Sequence, residues 1–458
     1  MKKFKSNIYF ILKKLKIILL LIFFSSIFLS AKSQDVIDFN TVNTKTYDYY
    51  FQGNWDSLID IGEKALKSDI DYFYLRIRLG IAYYAKTNYR KAIIHLEKAY
   101  KYNSSDLTTL EYLYFSYINS KRTADAIALA NDLPASLKEK LNISKSKFIN
   151  NVYFETGPIL SNNITKNGEL VLNKFNYVYT ETDLVDDIYY THFGLKQNIM
   201  KRVSLYYGYS NININKQKII TIGIFDTIDH YSTKQNEFYI NASVFLGNGY
   251  NLTPAFHLIN DEYQSFEFKG FDTIYFLPNY RKIDTSFNNI VASLSLTKDY
   301  SIFNFNLFGT YSDLNNREQK TYGLSITCYP KGNLNIYTNS TLANFNENKK
   351  NRLIFHQLVG FKLSNSTWFE GWVTFGNVEN YNESNAFIVY NIPDEVDYKY
   401  GGTFILSLFE NIELSLRYIN TSKKSTNIYY RSFDQKNYKT KDYTYTNQSI
   451  IGGIKWKF

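Results

Sequence analysis

The chain has 458 residues, 45% of them apolar and 18% aromatic, with 43 Tyr, 35 Phe and only six Pro. Its formal charge of +10 is concentrated at one end, because Met1–Ser33 carries seven lysines and no acid and the remainder is about +3. That removes the charge argument for a nucleic-acid partner, and the single cysteine, Cys328, excludes an intramolecular disulfide and multi-cysteine metal sites.

In chain order, the first segment reads as a signal peptide, 1–33. Its apolar run, Ile17–Leu29, is too short to span a bilayer comfortably. Ala31 and Ser33 place small residues at the −3 and −1 positions, so cleavage is expected before Gln34. No cysteine follows the run, which argues against lipoprotein processing. No later stretch is apolar for long enough to cross as a helix. The rest of the chain therefore crosses a membrane as a closed barrel or not at all.

Residues 34–148 show helical spacing, as in Leu79, Ala82, Tyr83 and Ala92, Ile93, Leu96, Ala99. They also show an internal period. The segment 73–106 has Leu79, Gly80, Tyr83, Ala92, Leu96 and Ala99; a shift of 34 residues brings up Leu113, Tyr117, Ala126 and Ala130. A backward shift finds Tyr49, Leu58 and Ala65. Small residues at Gly80, Ala92 and Ala99 allow close helix approach, and Leu79, Tyr83 and Leu96 fill the seam. These offsets resemble the tetratricopeptide repeat, with units at about 39–72, 73–106 and 107–140. Stacked hairpins of this kind imply a groove for a protein partner. Arg76, Arg90, Lys91 and Lys121 are candidates to line it, and are equally expected as solvated surface charge.

From about residue 149 the period becomes two. Phe238, Ile240, Ala242, Val244 and Leu246 alternate with Tyr239, Asn241 and Ser243; Ile412, Leu414, Leu416 and Tyr418 alternate with Glu413, Ser415 and Arg417. Fourteen strands are expected, with twelve or sixteen as alternatives. They lie near 151–160, 187–199, 202–214, 236–247, 250–262, 286–298, 300–312, 319–329, 333–345, 352–363, 367–377, 398–409, 411–421 and 445–458. Short turns alternate with long connections at 161–186, 215–235, 263–285, 378–397 and 422–444, the rhythm of an outer-membrane barrel with outer loops. The expected fold is therefore α+β and multidomain: an α-solenoid followed by an antiparallel transmembrane β-barrel over 149–458.

Inward positions give a candidate lumen lining of Glu155, His192, Lys196, His257, His356, Lys362, Glu370 and Arg417, with Lys455 and Lys457 in the last strand. It reads either as a path for a polar solute or as a plugged lumen with paired charges. No His pair has metal-ligand spacing, and neither a nucleophile elbow nor a phosphate-cradling loop is present. An enzyme is not expected, and no cofactor or metal is implied. His192 beside Thr191 and His230 near Ser232 are weak hydrolase candidates. Cys328 falls on an outward position.

The final strand alternates Ile454, Trp456 and Phe458 with Lys455 and Lys457. Gly453, Trp456 and Phe458 resemble the terminal insertion signal of outer-membrane barrels; Ile451 departs from it, since a polar residue is usual there. Taken with the repeat offsets and the domain order, the chain resembles YaiO-type outer-membrane barrels with N-terminal periplasmic tetratricopeptide repeats, which are akin to polysaccharide exporters. The resemblance implies an outer-membrane location with the repeats in the periplasm. It also implies contact with membrane lipid, the barrel-assembly machinery and a periplasmic protein partner. Export or surface display of an envelope polysaccharide, or solute passage, is the function implied. A non-conducting anchor for an envelope complex is the alternative, and a lipid-modifying enzyme a remote one.

Overall fold

The structure is a computed structural model that describes residues 38–143, 148–172, 179–222, 225–271, 278–391, 394–431 and 436–458. The expected signal peptide and its cleavage point lie outside the described residues. Compactness divides the chain into two units that part between Asp71 and Tyr72.

The first unit contains α1 (Phe39–Gln52) and α2 (Trp55–Lys67). Asp38 caps α1 by accepting from the Thr41 amide at 2.9 Å, which satisfies one of the donors a helix start leaves open. The chain reverses at Gly53, whose φ of 65° lies in the left-handed region that glycine adopts without steric cost. Tyr50 then meets Trp55 edge-on at 6.0 Å.

The second unit opens with α3 (Phe73–Ala85), α4 (Tyr89–Tyr102), α5 (Leu107–Asn119), α6 (Thr123–Asp132) and α7 (Ala135–Lys140). First helices begin at 39, 73 and 107 and second helices at 55, 89 and 123, so the 34-residue period of the sequence is a period of helical hairpins. Leu79, Tyr83, Ala92, Leu96, Ala99, Tyr117 and Ala126 are buried. Gly80 permits the α3–α4 approach, since a Cβ there would stand 2.6 Å from Leu96 Cδ2. Among these helices Arg122 holds Asp125 at 2.7 Å and Glu97 at 3.2 Å. Burial still pushes the Asp125 carboxyl above its ordinary value, against the pull of Arg122.

Fourteen strands close an antiparallel barrel: β1 (Ile149–Ser161), β2 (Tyr179–Met200), β3 (Val203–Ile222), β4 (Phe225–Gly247), β5 (Tyr250–Phe271), β6 (Pro278–Tyr300), β7 (Phe303–Ser312), β8 (Gln319–Cys328), β9 (Ile336–Glu347), β10 (Lys350–Lys362), β11 (Thr367–Phe375), β14 (Glu395–Ser407), β15 (Ile412–Tyr430) and β16 (Tyr438–Lys457). Between β11 and β14 sit two short strands, β12 (Asn382–Glu383) and β13 (Ile388–Val389), paired only with each other. Closure is made by β1 on β16, from Asn151 opposite Lys457 to Ser161 opposite Asn447. Phe154, Phe238, Leu294, Leu307, Leu342, Phe404, Leu416 and Trp456, drawn from strands all round the barrel, are each 40–62% exposed. Such a circumferential apolar surface is far larger than a soluble monomer tolerates. With every strand edge paired, this is an outer-membrane-type barrel.

Two expectations are corrected. The connections at 215–235, 263–285 and 422–444 are not loops for most of their length. Strands β3 to β6, β15 and β16 run on through them, to Ile222 and Phe225, Phe271 and Pro278, and Tyr430 and Tyr438. The connection at 161–186 carries α8 (Asn163–Leu172) and the first residues of β2. Above the end of β1, the upper end of β2 pairs directly with β15, Tyr179 opposite Tyr430 and Glu181 opposite Ile428. Tyr179, Ile220 and Ile222 are buried there with Phe266 and Tyr430 against them.

The second correction concerns Arg90. It is neither groove lining nor solvated charge. Its side chain is 3% exposed, pairs with Asp299 in the β6–β7 turn at 2.9 Å and stacks on Tyr329 with 3.8 Å to the ring centroid. The Arg90 amide donates to Gly332 O at 3.0 Å, and Asn333 donates to Thr87 O at 3.1 Å. Helix α4 and the turn before it are thereby bound to the short-turn rim of the barrel.

Candidate functional site in the barrel lumen

The 376–394 connection leaves β11 at the long-connection rim and returns to β14 there. It does not extend into solvent. Its apolar residues, unusual for an outer loop, explain why: Val378 and Tyr381 are buried with Phe345 and Ile354 of the wall, and Ala386 and Val389 pack with Ile259 and Val291. The connection is a hairpin folded into the barrel.

Polar contacts fix it. His257 Nδ1 donates to Ala386 O at 2.7 Å, Tyr239 Oη donates to Asn385 O at 3.0 Å, and Asn391 Nδ2 donates to Asp261 at 2.6 Å. Lys399 holds Glu383 at 2.7 Å. At the tip, Ser384, Asn385 and Ala386 have φ of 53°, 57° and 66°. Three successive non-glycine residues in the left-handed region carry strain, which the buried contacts offset. Phe387 follows, with its ring edge-on to His192, Tyr239 and Tyr206 at 5.1, 5.2 and 6.0 Å.

Beneath Phe387 lies a second layer. Glu155 is buried and accepts from Tyr190 Oη at 2.7 Å, from Tyr153 Oη and from Arg417 Nη2. Arg417 stands on β15 and Glu155 on β1, with β16 between them. Gly453 is opposite both Glu155 and Ser415 in the ladders. A Cβ on Gly453 would come 2.5 Å from Ser415 Oγ and 3.5 Å from Glu155 Cβ, so a glycine is what lets the ion pair form across the strand. Ile451, one pleat further, is buried.

The remaining candidate lumen residues are dispersed around the inner wall. His192 bonds Ser210 Oγ at 2.9 Å through Nδ1 and Tyr206 Oη at 2.7 Å through Nε2. This Ser–His contact is not visible in the sequence, where Thr191 is the neighbour; Thr191 instead bonds Thr156 at 3.0 Å. His192 is fully buried and Ser210 nearly so. His356 bonds Thr374 at 2.8 Å, Glu370 accepts from Tyr337, and Lys362 lies 5.3 Å from the Trp368 ring. Lys196 stands opposite Tyr206 in the β2–β3 ladder. Lys455 and Lys457 share Glu413 at 3.6 and 2.9 Å. No group of three or more metal-ligating side chains occurs among the described residues.

Above the hairpin, inside the strand extensions, is a chamber of about 1080 Å3. Its wall mixes charged residues such as Lys216, Asp183 and Lys423 with aromatic ones such as Tyr231, Phe266 and Tyr443. The sequence places these residues in what reads as loops, so the chamber is not visible there.

No protein-family profile matches the chain, and no curated protein matches it. Among solved structures it is similar to a FadL homologue of Pseudomonas aeruginosa, at 8% identity over 68% of this chain and 90% of that one, with a TM-score of 0.40. A deletion mutant of TodX, a monoaromatic hydrocarbon channel, matches at 6% identity over 69% and 92%, with a TM-score of 0.41. The translocator domain of the autotransporter NalP from Neisseria meningitidis matches at 9% identity over 74% and 98%, with a TM-score of 0.32. At these scores the barrel assignment rests on the closed sheet and the apolar belt of the chain itself.

Proposed function

We propose that this is an outer-membrane protein whose barrel is closed to solutes at rest and anchors a periplasmic set of helical repeats. One observation carries the reading: the hairpin at 376–391 packs against the inner wall and is bonded to it through His257, Tyr239 and Asp261. The 34-residue hairpin period and the small-residue contact at Gly80 support tetratricopeptide repeats, whose use is to hold a protein partner. The docking of α4 on the short-turn rim supports placement of the repeats on the periplasmic side, where such barrels keep their short turns. The Ser210–His192 pair is assigned a structural role and no catalysis.

Planar-bilayer recording of the purified protein tests this. The intact protein should show no steady conductance, and replacing Val378–Tyr390 with a short Gly-Ser linker should open one. A steady open-porin conductance in the intact protein would sink the reading. A second reading, export of an envelope polysaccharide past a movable hairpin, is favoured by the chamber above it. Opening of the intact protein by voltage or by added polysaccharide would favour that second reading.

A further inference from the structure

The wall of the chamber changes character between β4 and β7. Strand β4 pairs with β5 up to Lys234 opposite Glu262 and no further. Strand β6 pairs with β7 only from Val291 opposite Ser312. Above those limits β5 and β6 still pair with each other, from Tyr263 opposite Thr285 to Phe271 opposite Pro278. Among the described residues this two-stranded arm has no ladder partner on either edge. A ribbon of two strands alone is marginally stable in water, so its position depends on what it leans against. The edges left open where β1 stops are tied down by contrast. There β2 pairs with β15, and β16 is bonded by Lys166 and Asn167 of α8.

The arm leans over the chamber. Phe266 on β5 has the same parity as Leu258, which is exposed on the outer face, so a flat continuation of the strand would turn its ring outward. Its ring instead meets Tyr231 edge-on at 5.5 Å and stands 5.1 Å from Lys218 Nζ. Tyr231, Lys218 and Phe266 all line the chamber. The ring also packs on Tyr179 of β2 and on Ile220 and Ile222 of β3. Twist is largest in two-stranded ribbons, which is how an outward face comes round to the inside along this arm. One ion pair accompanies the ring, Lys282 of β6 with Asp229 of β4 at 2.8 Å, and both side chains are partly exposed. Among the described residues no other ion pair or hydrogen bond joins the arm to its surroundings.

We propose that the β5–β6 arm is a lid on the chamber, hinged where β5 leaves β4 at Glu262 and where β6 reaches β7 at Ile290, and held shut by Phe266 and Lys282. Swinging it outward breaks no sheet ladder, because the ladder of the arm is internal and moves with it. Opening withdraws one ring from an apolar contact and parts one ion pair in water, which is a small cost beside unzipping a strand of the barrel. The lid governs entry to the chamber from above and is separate from the 376–391 hairpin below. This proposal and the closed-anchor reading therefore fail separately, one in thiol accessibility and the other in bilayer recording.

The test uses the full-length protein in detergent with Cys328→Ser, so that an introduced cysteine is the only one. Val185→Cys puts a thiol of similar size on the chamber wall, and Asn365→Cys puts one in the exposed β10–β11 turn. The probe is a short methoxy-polyethylene-glycol maleimide, neutral and water-soluble. Behind the shut lid Val185→Cys should react at least about tenfold more slowly than Asn365→Cys, since it waits on local opening. Adding Phe266→Ala should raise the Val185→Cys rate at least about fivefold and leave the Asn365→Cys rate unchanged. Adding Asp229→Asn should raise it roughly twofold, the scale of an exposed ion pair. Heat-modifiable gel mobility confirms the barrel in each variant, and if Phe266→Ala does not assemble, Asp229→Asn carries the test alone. Equal rates at the two positions in the parent would overturn the proposal. So would a Val185→Cys rate that either added substitution leaves where it was in an assembled barrel.

Discussion

Removing the charge of Asp299 should loosen the helices from the barrel rim more than removing the charge of Arg90 does. The asymmetry follows from burial. Arg90 is 3% exposed and Asp299 17%, at 2.9 Å. Asp299→Asn leaves a guanidinium sealed against Tyr329 with one neutral acceptor in the turn and Ser120 O at 3.3 Å. Breaking a buried pair this way costs about 3–5 kcal/mol. Arg90→Met keeps most of the apolar stem packed. It loses the ion pair and the stacking, roughly 2 kcal/mol when desolvated, but also removes the charge that was costly to bury, and Asp299 can turn to water. A loss of about 1–3 kcal/mol is expected. The double variant should resemble Arg90→Met, because the neutral amide at position 299 then faces no stranded cation. Hydrogen exchange of the α4 amides in the full-length protein, in detergent, reads these free energies directly. If both single variants stay within about 0.5 kcal/mol of the parent, or if their effects simply add, the ion pair is not what holds the helices to the rim.

Three further outcomes are expected. Deleting Phe458 should lower the heat-modifiable fraction in membranes. Its amide bonds Asn150 O at 3.0 Å and its ring stacks on Trp456 at 6.0 Å, so closure of β1 on β16 loses its last contact; unchanged mobility would count against this. Gly80→Trp should cut the helical circular dichroism of the full chain while the strand signal persists, since even a Cβ stands 2.6 Å from Leu96, and overpacking costs about 1–3 kcal/mol. Gly453→Leu should push Arg417 off Glu155 and lower the thermal midpoint of the barrel; a neutral result would mean the lane across β16 is not needed.

Much of the barrel was legible because lipid imposes a rule on every second residue. Phe238 and Leu246 face outward and Tyr239 inward as the alternation requires. The rule lapses where the strands leave the membrane. In β3, Lys216 and Lys218 point inward and Gln217 outward, and polar residues on both faces read as loop. The lumen residues were identifiable one by one, but not their grouping. Nothing near Arg417 in sequence announces Glu155, 262 positions away, and nothing near Arg90 announces Asp299. The hairpin did leave a signal. Val378, Tyr381, Phe387, Val389 and Tyr390 are too apolar for a solvated outer loop, and that excess is what the wall of the barrel covers.

The hairpin also constrains the order of assembly. Its docking partners on β4 and β5 precede it in the chain, whereas the seam of β1 with β16 cannot form until β16 has been made. While the sheet is still open, the hairpin can be laid against its wall without passing through any opening. Once the seam is shut and β2 has paired with β15 across the upper end of β1, the same hairpin can leave only through an end of the closed barrel. It behaves like a ship built inside its bottle. The barrier to withdrawing it then belongs to the closed ring rather than to the hairpin's own contacts, and weakening those contacts alone would change how firmly it sits without setting how fast it departs.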